Sequence, residues 1–311
     1  MASLRPDWPD ALDPVFRKIY GEELNDVTTK YQDIFNMESS DRQNEKTSSA
    51  SGLSKLVQTS ENASISYEDE LQGYDQTYTH KKWALGTSVS EEMWSDDQHA
   101  VMRRKPRNLA KAKKRTLDQS GADIFNYGFT AGGGGQSTFT AGDALALFTA
   151  SHTRTDGGAS QSNYTTSDLA EDALETGIVT LANTLDNKGQ LIGFEPNTLL
   201  IPRALEKEAR ILLQSQGRVG TANNDINPYQ GRLNIVVWDR LGSTGSSGSD
   251  TAWFLLDSSG HYLTWYNRED KGLVGPEYDF DNGRAKWKVV TRYSLGFDDW
   301  RGTYGSKGDN S

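Results

Sequence analysis

The sequence predicts an α+β protein organised around one long helix. Three observations carry this reading: an apolar seam of helical period between Thr87 and Tyr127, a strand polar on both faces before it, and two further helices among short strands after it. The helical stretch opens with Thr-Ser-Val-Ser-Glu-Glu, where Ser88 and Glu91 stand three apart in capping-box spacing. Trp94, Val101, Leu109, Leu117 and Ile124 then recur every seven or eight residues and keep one side apolar. Pro106 removes a hydrogen bond and crowds the preceding turn, so a kink or break is expected near Lys105.

The two arms of this helix differ in charge. Glu91, Glu92, Asp96 and Asp97 precede the middle, whereas Arg103, Arg104, Lys105, Arg107, Lys111, Lys113, Lys114 and Arg115 follow with no acid between them. Three readings fit the basic run: a solvated face, a nucleic-acid contact, or a contact with an acidic neighbour. Nine acids between Glu61 and Asp97, among them Glu68, Asp69 and Glu70, supply such a neighbour in every adjacent copy of the chain, and this reading is preferred to the nucleic-acid contact.

With 311 residues, 35% of them hydrophobic, and ten Phe, thirteen Tyr and eight Trp, the chain has material for one large or two medium domains. A net charge of −10 argues against a dedicated nucleic-acid binder and confines any such contact to the basic arm. The absence of cysteine excludes disulfides and thiolate metal sites and suits a reducing compartment. No stretch has signal-peptide character or the length to cross a bilayer, which predicts a soluble protein made in the cytoplasm.

In chain order, residues 1 to 36 read as a proline-punctuated arm with a short helix at Ala11 to Leu24, burying Leu12, Val15, Phe16, Ile19 and Tyr20. Residues 37 to 64 have so few apolar groups that composition predicts a disordered loop. Tyr74 to Thr87 alternates with period two but is polar on both faces. Such a strand is expected outside any globular core, as one leg of a protruding hairpin. Gly128 to Gly142 contains Phe-Thr-Ala-Gly twice around Gly132 to Gly135, and Gln136-Ser137 lacks the lysine that a phosphate-cradling loop requires. Asp143 to His152 reads as a small helix or turn burying Leu145, Leu147 and Phe148. A helix is expected from Thr166, capped by Ser167 or Asp168, with a stripe of Leu169, Ala173, Leu174, Ile178, Leu181 and Leu185 ending at Asn187-Lys-Gly189. A strand at Thr198 to Ile201 is followed by Pro202 in the first turn of a third helix with Leu205, Ala209, Leu212 and Leu213 inward. Strands are expected at Leu233 to Trp238, Ala252 to Leu256, Tyr262 to Tyr266 and Ala285 to Tyr293, the last placing Trp287, Val289, Thr291 and Tyr293 on one face.

Catalytic chemistry finds little support. His80, His99, His152 and His261 have no metal-ligand spacing, no Gly-x-Ser-x-Gly elbow exists, and Asp298 and Asp299, as adjacent acids, are expected to point apart. No enzyme, catalytic residue, cofactor or metal site is expected.

Several short patterns recur in an informative order: Val89-Ser-Glu-Glu-Met-Trp-Ser-Asp96-Asp97 at the helix start; Asp143-Ala-Leu-Ala-Leu-Phe148 with His152 and Gly157-Gly158; Ser162-Asn163; Asp186 to Gly189; Pro196-Asn-Thr-Leu-Leu-Ile-Pro202; and Asn227-Pro228 with Gly231. With the order of arm, polar hairpin, long helix and late sheet, they resemble the major capsid protein of tailed bacteriophages. More narrowly they resemble the Mu-like prophage major head subunit family. The resemblance implies an N-terminal arm at 1–36, an extended E-loop at 37–86, a P domain with its spine helix at 87–160, an A domain at 161–268, and a return to the P-domain sheet with a C-terminal tail at 269–311. It further implies a virion shell protein forming hexameric and pentameric capsomers, with packaged double-stranded DNA on the lumenal side and a portal. In that family the E-loop lies over a neighbouring subunit, which gives the two-faced strand something to cover it. With only about 36 residues before the loop, a separate scaffolding protein is expected. Glu68, Asp69, Glu70 and the eight bases of the helix are then the expected inter-subunit contacts. The alternatives are an encapsulin-like cargo shell of the same fold and a nucleic-acid binder using residues 103–115.

Overall fold

In the computed structural model the described residues are 8–50, 52–70, 72–96, 99–133, 139–140, 142–217, 225–244 and 247–309. In chain order the elements are α1 (Trp8–Asp26), α2 (Tyr31–Ile34), β1 (Asn36–Ser39), β2 (Asn44–Ala50), β3 (Gln72–Thr79), β4 (Lys81–Ser90), α3 (Glu91–Ser95), α4 (His99–Asn126), β5 (Tyr164–Thr165), α5 (Glu171–Ala182), β6 (Thr198–Ile201), α6 (Glu206–Gln214), β7 (Asn234–Val237), β8 (Trp253–Leu256), β9 (Leu263–Asp279), β10 (Arg284–Phe297) and β11 (Thr303–Ser306). The chain divides into two units: residues 1–44, 79–120 and 265–294 form the first, and residues 45–78, 121–264 and 295–311 the second.

The first unit is a helix-on-sheet layer. Its sheet has the order β1-β9-β10-β4, and β10 pairs antiparallel with β4 from Arg284 opposite Ser90 to Tyr293 opposite Lys81. The period of two along β10 sends Ala285, Trp287 and Val289 to one side, where they pack with Leu12, Phe16 and Tyr20 of α1 and Met102, Leu109 and Ala110 of α4. Phe16 stacks on Trp287 with ring centroids 4.4 Å apart, and the Trp287 indole N–H donates to Asp13 at 3.3 Å. Burying that indole is worth several kcal/mol, on the scale of the ~3–5 lost when a core Trp becomes Ala.

The second unit is built on a sheet of order β5-β11-β8-β6-β7. Helices α5 and α6 bury Leu174, Ile178, Leu181, Ala209 and Leu213 in a cluster with Leu199, Ile201, Trp253, Leu255 and Tyr304 of this sheet. Two strands, β2 and β3, pair separately as a ribbon.

Several expectations need correction. Thr87 to Ser90 are not helical: they finish β4, where pairing with Arg284 to Trp287 satisfies their backbone, and Val89 is fully buried. The cap of α3 is therefore Ser90, whose hydroxyl accepts from the Met93 amide at 3.4 Å, and not the Ser88 and Glu91 pair. α3 ends at Ser95 with Asp96 in a turn, and the helix is not broken at Pro106, which lies buried inside α4. Along the seam Leu109, Leu117 and Ile124 are buried, but Val101 is exposed and Met102 takes its place. In α1, likewise, Val15 is exposed.

The composition of 37–64 hid strands β1 and β2. The expected single strand at Tyr74 to Thr87 is two strands broken at His80, and it does reach a core. Tyr78 is fully buried with its hydroxyl on Asp298 at 2.5 Å, and His80 sits between the Ser40 and Ser294 hydroxyls at 3.0 Å each. The second helix begins at Glu171 with Ala170 as an unassisted cap, so Leu169 packs from before it, and Leu185 lies beyond its end in a bridge with Leu191. Asp143 to His152 is turn and bend with Leu145 half-buried. The strand expected to end at Tyr266 continues to Asp279. Asp97, residues 134–138 of the glycine loop and Ala141 lie outside the described residues.

Candidate inter-subunit interface

Residues 52–70 are where folding within one chain stops accounting for the sequence. They form no regular structure, and Leu53, Leu56, Val57, Ile65 and Tyr67 are all exposed, Tyr67 at 94%. Five large apolar groups in one extended segment are far from the scattered surface hydrophobics of an ordinary monomer. The segment is tied down at its base. Glu68 accepts from the Ser54 amide at 3.0 Å and hydroxyl at 2.7 Å, and pairs with Lys188 at 3.0 Å, while the Lys188 ammonium also donates to the Asp69 carbonyl at 2.9 Å. The Ser54 hydroxyl and then Lys188 pull the Glu68 carboxyl down to about 2. Glu70 is exposed.

The ribbon leading to this segment is pinned by a carboxylate that sequence reasoning set aside. One oxygen of Asp298 accepts from Thr47 of β2 at 2.6 Å and from Tyr78 of β3 at 2.5 Å. Asp299 turns instead to Arg301 at 2.6 Å, so the adjacent acids do point apart, each to a partner. The signal in the sequence was the pair of tyrosines, Tyr74 and Tyr78, in an otherwise polar strand. A second missed cluster is His152: its Nδ1 lies 2.8 Å from Asp143, and its ring is fully buried against Trp300 at 4.3 Å. This is a packing role for a histidine that carries no metal spacing.

The eight bases of α4 do not act as one surface. Lys113 is buried, with both Asp270 oxygens 2.6 Å from its ammonium. Lys105 donates to the Ser88 carbonyl, and burial, followed by repulsion from Arg284, lowers its pKa. Arg107 and Lys111 share Glu23 of α1 at 3.7 and 3.0 Å. Arg103, Arg104 and Arg115 are exposed and Lys114 is half-exposed. The run is thus divided between fastening α1 and the sheet to α4 and presenting cations outward.

The face of the first unit's sheet opposite its helices is exposed at Arg284, Lys286 and Lys288 and closes over further along, where Val290 is buried. By register, Arg284, Lys286, Lys288 and Arg292 lie on this face beside Ser90, Ser88, Gly86 and Lys82 of β4. Small residues at Ala84, Gly86, Gly275 and Pro276 leave a groove of about 780 Å³ lined also by Lys286, Lys288 and Glu277, with Lys286 paired to Asp279 at 2.5 Å. Among the described residues no cluster of His, Asp and Glu is placed to hold a metal ion. Among the described residues no helix is long and apolar enough to cross a membrane.

A family model described as phage capsid protein matches residues 73–306. The match is to the broad family and does not single out the Mu-like heads. No curated protein matches the chain. Among solved structures, it is similar to a chain from Mycobacterium phage Bobi (13% identity, TM-score 0.57, 92% of each chain covered). It is also similar to the capsid of an empty GTA particle (12%, 0.56, 90% of each). A third is a phage-related protein of Bordetella bronchiseptica RB50 (12%, 0.53, 94% of this chain and 96% of that one). At these identities the structures establish the fold, while the family model spans most of the sequence. The chain belongs to the phage capsid protein family.

Proposed function

We propose that this chain is the major head subunit of a tailed phage, assembling as hexameric and pentameric capsomers into a closed icosahedral shell around double-stranded DNA, with a separate scaffolding protein and a portal. The observation that carries the proposal is the exposure of Leu53, Leu56, Val57, Ile65 and Tyr67 in segment 52–70, an apolar surface that calls for cover by another copy. Burying Leu53, Leu56, Val57, Ile65 and Tyr67 against a neighbour at ~25 cal/mol per Å² would stabilise each contact by several kcal/mol, before the cost of ordering the segment. Residues 37–86 then act as the E-loop, 87–160 with 269–311 as the P domain and 161–268 as the A domain, while Lys114 and Arg115 offer further cations to a neighbour. Hydrogen exchange on free subunits and on particles tests this. Residues 52–70 are expected to exchange fast in the free subunit and slowly in particles; equal rates in both would remove the overlapping-loop basis of the reading.

A further inference from the structure

Lys188 is held as few lysines are. Its side chain is only 6% exposed, on a turn that the second unit fixes residue by residue. One oxygen of Asp186 accepts from the Lys188 amide at 2.8 Å and from the Gln190 amide at 2.7 Å. Gly189 has a φ of +74°, which glycine adopts without strain, and lies so close to the Arg154 guanidinium that an added Cβ would come within 2.8 Å of it. Arg301 donates to the Leu185 carbonyl at 2.8 Å and to the Asn187 side chain at 3.0 Å. Gln161 brackets Leu185 as well, donating to its carbonyl at 3.0 Å and accepting from its amide at 2.7 Å. The ammonium that this turn positions meets the base of segment 52–70, at Glu68 and at the Asp69 carbonyl.

The strand that leads out of the segment is fastened to the same unit. Besides the bond from Tyr78 to Asp298, Gln76 donates to the Thr140 carbonyl at 3.1 Å, and the Tyr74 hydroxyl lies 3.2 Å from that of Thr153. Gly142 packs against the Tyr74 side chain with no room for a Cβ. Leu53, Leu56, Val57, Ile65 and Tyr67 nevertheless stay exposed. A contact that stowed the segment until assembly would cover these groups. This one fixes the base and leaves the apolar part in solvent, an arrangement that reduces the entropy lost when the segment docks.

We propose that Lys188 is a positioning residue for the junction between copies: by gripping Glu68 and Asp69 of its own chain it aims segment 52–70 at the neighbour, and it keeps that grip in the particle. Asp186, Arg301 and Gln161 act through it by fixing the turn. The inference rests on the head-subunit reading and adds to it what sets the direction of the segment.

The chain has no cysteine, so a pair placed at positions 68 and 188 is the only target for a thiol reagent. The test uses the full chain under conditions in which the wild type forms particles, followed by light scattering. Lys188→Met and, separately, Glu68→Cys with Lys188→Cys are expected to keep the circular dichroism spectrum of the wild-type subunit and to assemble roughly tenfold more slowly. Bridging the two cysteines within dilute subunits by a short bis-maleimide is expected to bring the rate back to that of the wild type, since it restores the aim without the ion pair; a role confined to folding would not respond in this way. Wild-type assembly rates from Lys188→Met overturn the proposal, as does a bridged subunit that assembles no faster than the unbridged one. A wild-type chain that forms no particles under any condition removes the head-subunit reading and this inference with it, whereas wild-type particles with unaffected variants remove the inference alone.

Discussion

Replacing Asp270 with Ala tests whether the basic run of α4 is partly a structural fastening. The Lys113 side chain is only 5% exposed and the Asp270 side chain 41%, with two 2.6 Å contacts between them. At that distance and an effective dielectric of about 20, the attraction is roughly 6 kcal/mol before the cost of taking the ammonium out of water. Removing one partner of a fully buried pair costs ~3–5 kcal/mol, and the half-open carboxylate reduces this to about 2–3 for Asp270→Ala. Urea denaturation of the free subunit measures it. Arg115→Ala, at an exposed position of the same run, is the control and is expected within about 0.5 kcal/mol of wild type. A double-mutant cycle with Lys113→Met isolates the pair. Equal effects for Asp270→Ala and Arg115→Ala would refute the division of the run into buried fasteners and outward cations.

Further outcomes follow from the same geometry. Tyr78→Phe removes a donor to Asp298 and is expected to cost about 1–2 kcal/mol, with faster amide exchange in β2 and β3 than elsewhere; uniform exchange would deny Asp298 its role as the ribbon's anchor. Because Ser54 and Lys188 hold the Glu68 carboxyl down to about 2, the tether of segment 52–70 persists above the ordinary Glu range and weakens as pH falls from about 4.5 toward 2. Protease cleavage between Ser54 and Glu68 should rise across that window in wild type but not in Glu68→Gln, where it starts high. Burial, helped by Asp270, pushes the Tyr20 hydroxyl up to about 12. Its contribution to stability is complete below about 10 and is lost between 10 and 12, so Tyr20→Phe is expected to reduce the alkaline loss of stability in that interval.

What was legible in the sequence followed from periodicity. The core faces of α1, α5, α6 and β10 were read from Phe16, Leu174, Leu213 and Trp287, because one-sided burial imposes a period that survives in the letters. The order of short patterns carried the fold, and the family match over residues 73–306 agrees with it. Failures came where a local rule met a long-range partner. Ser88 and Glu91 satisfied a capping template, yet β10 claimed Thr87 to Ser90 as a strand from nearly two hundred residues away. Pro106 was tolerated inside α4, and strands β1 and β2 had no apolar alternation to reveal them. In the interface, eight bases looked equivalent in sequence. Only the fold separates Lys113, buried on Asp270, from Arg103 and Arg104 in solvent, since Asp270 lies 157 residues downstream. Asp298 was dismissed for the same reason: its donors, Thr47 and Tyr78, come from two strands far away in the chain.

The central claim is that copies of this chain form a shell in which each covers its neighbour's exposed segment. Amide exchange of Leu53 to Tyr67, measured on purified particles that have been imaged by electron microscopy, tests it most directly. Closed particles with this segment protected at least a hundredfold over the free subunit are expected. Particles in which it exchanges as fast as in the free subunit would contradict the account.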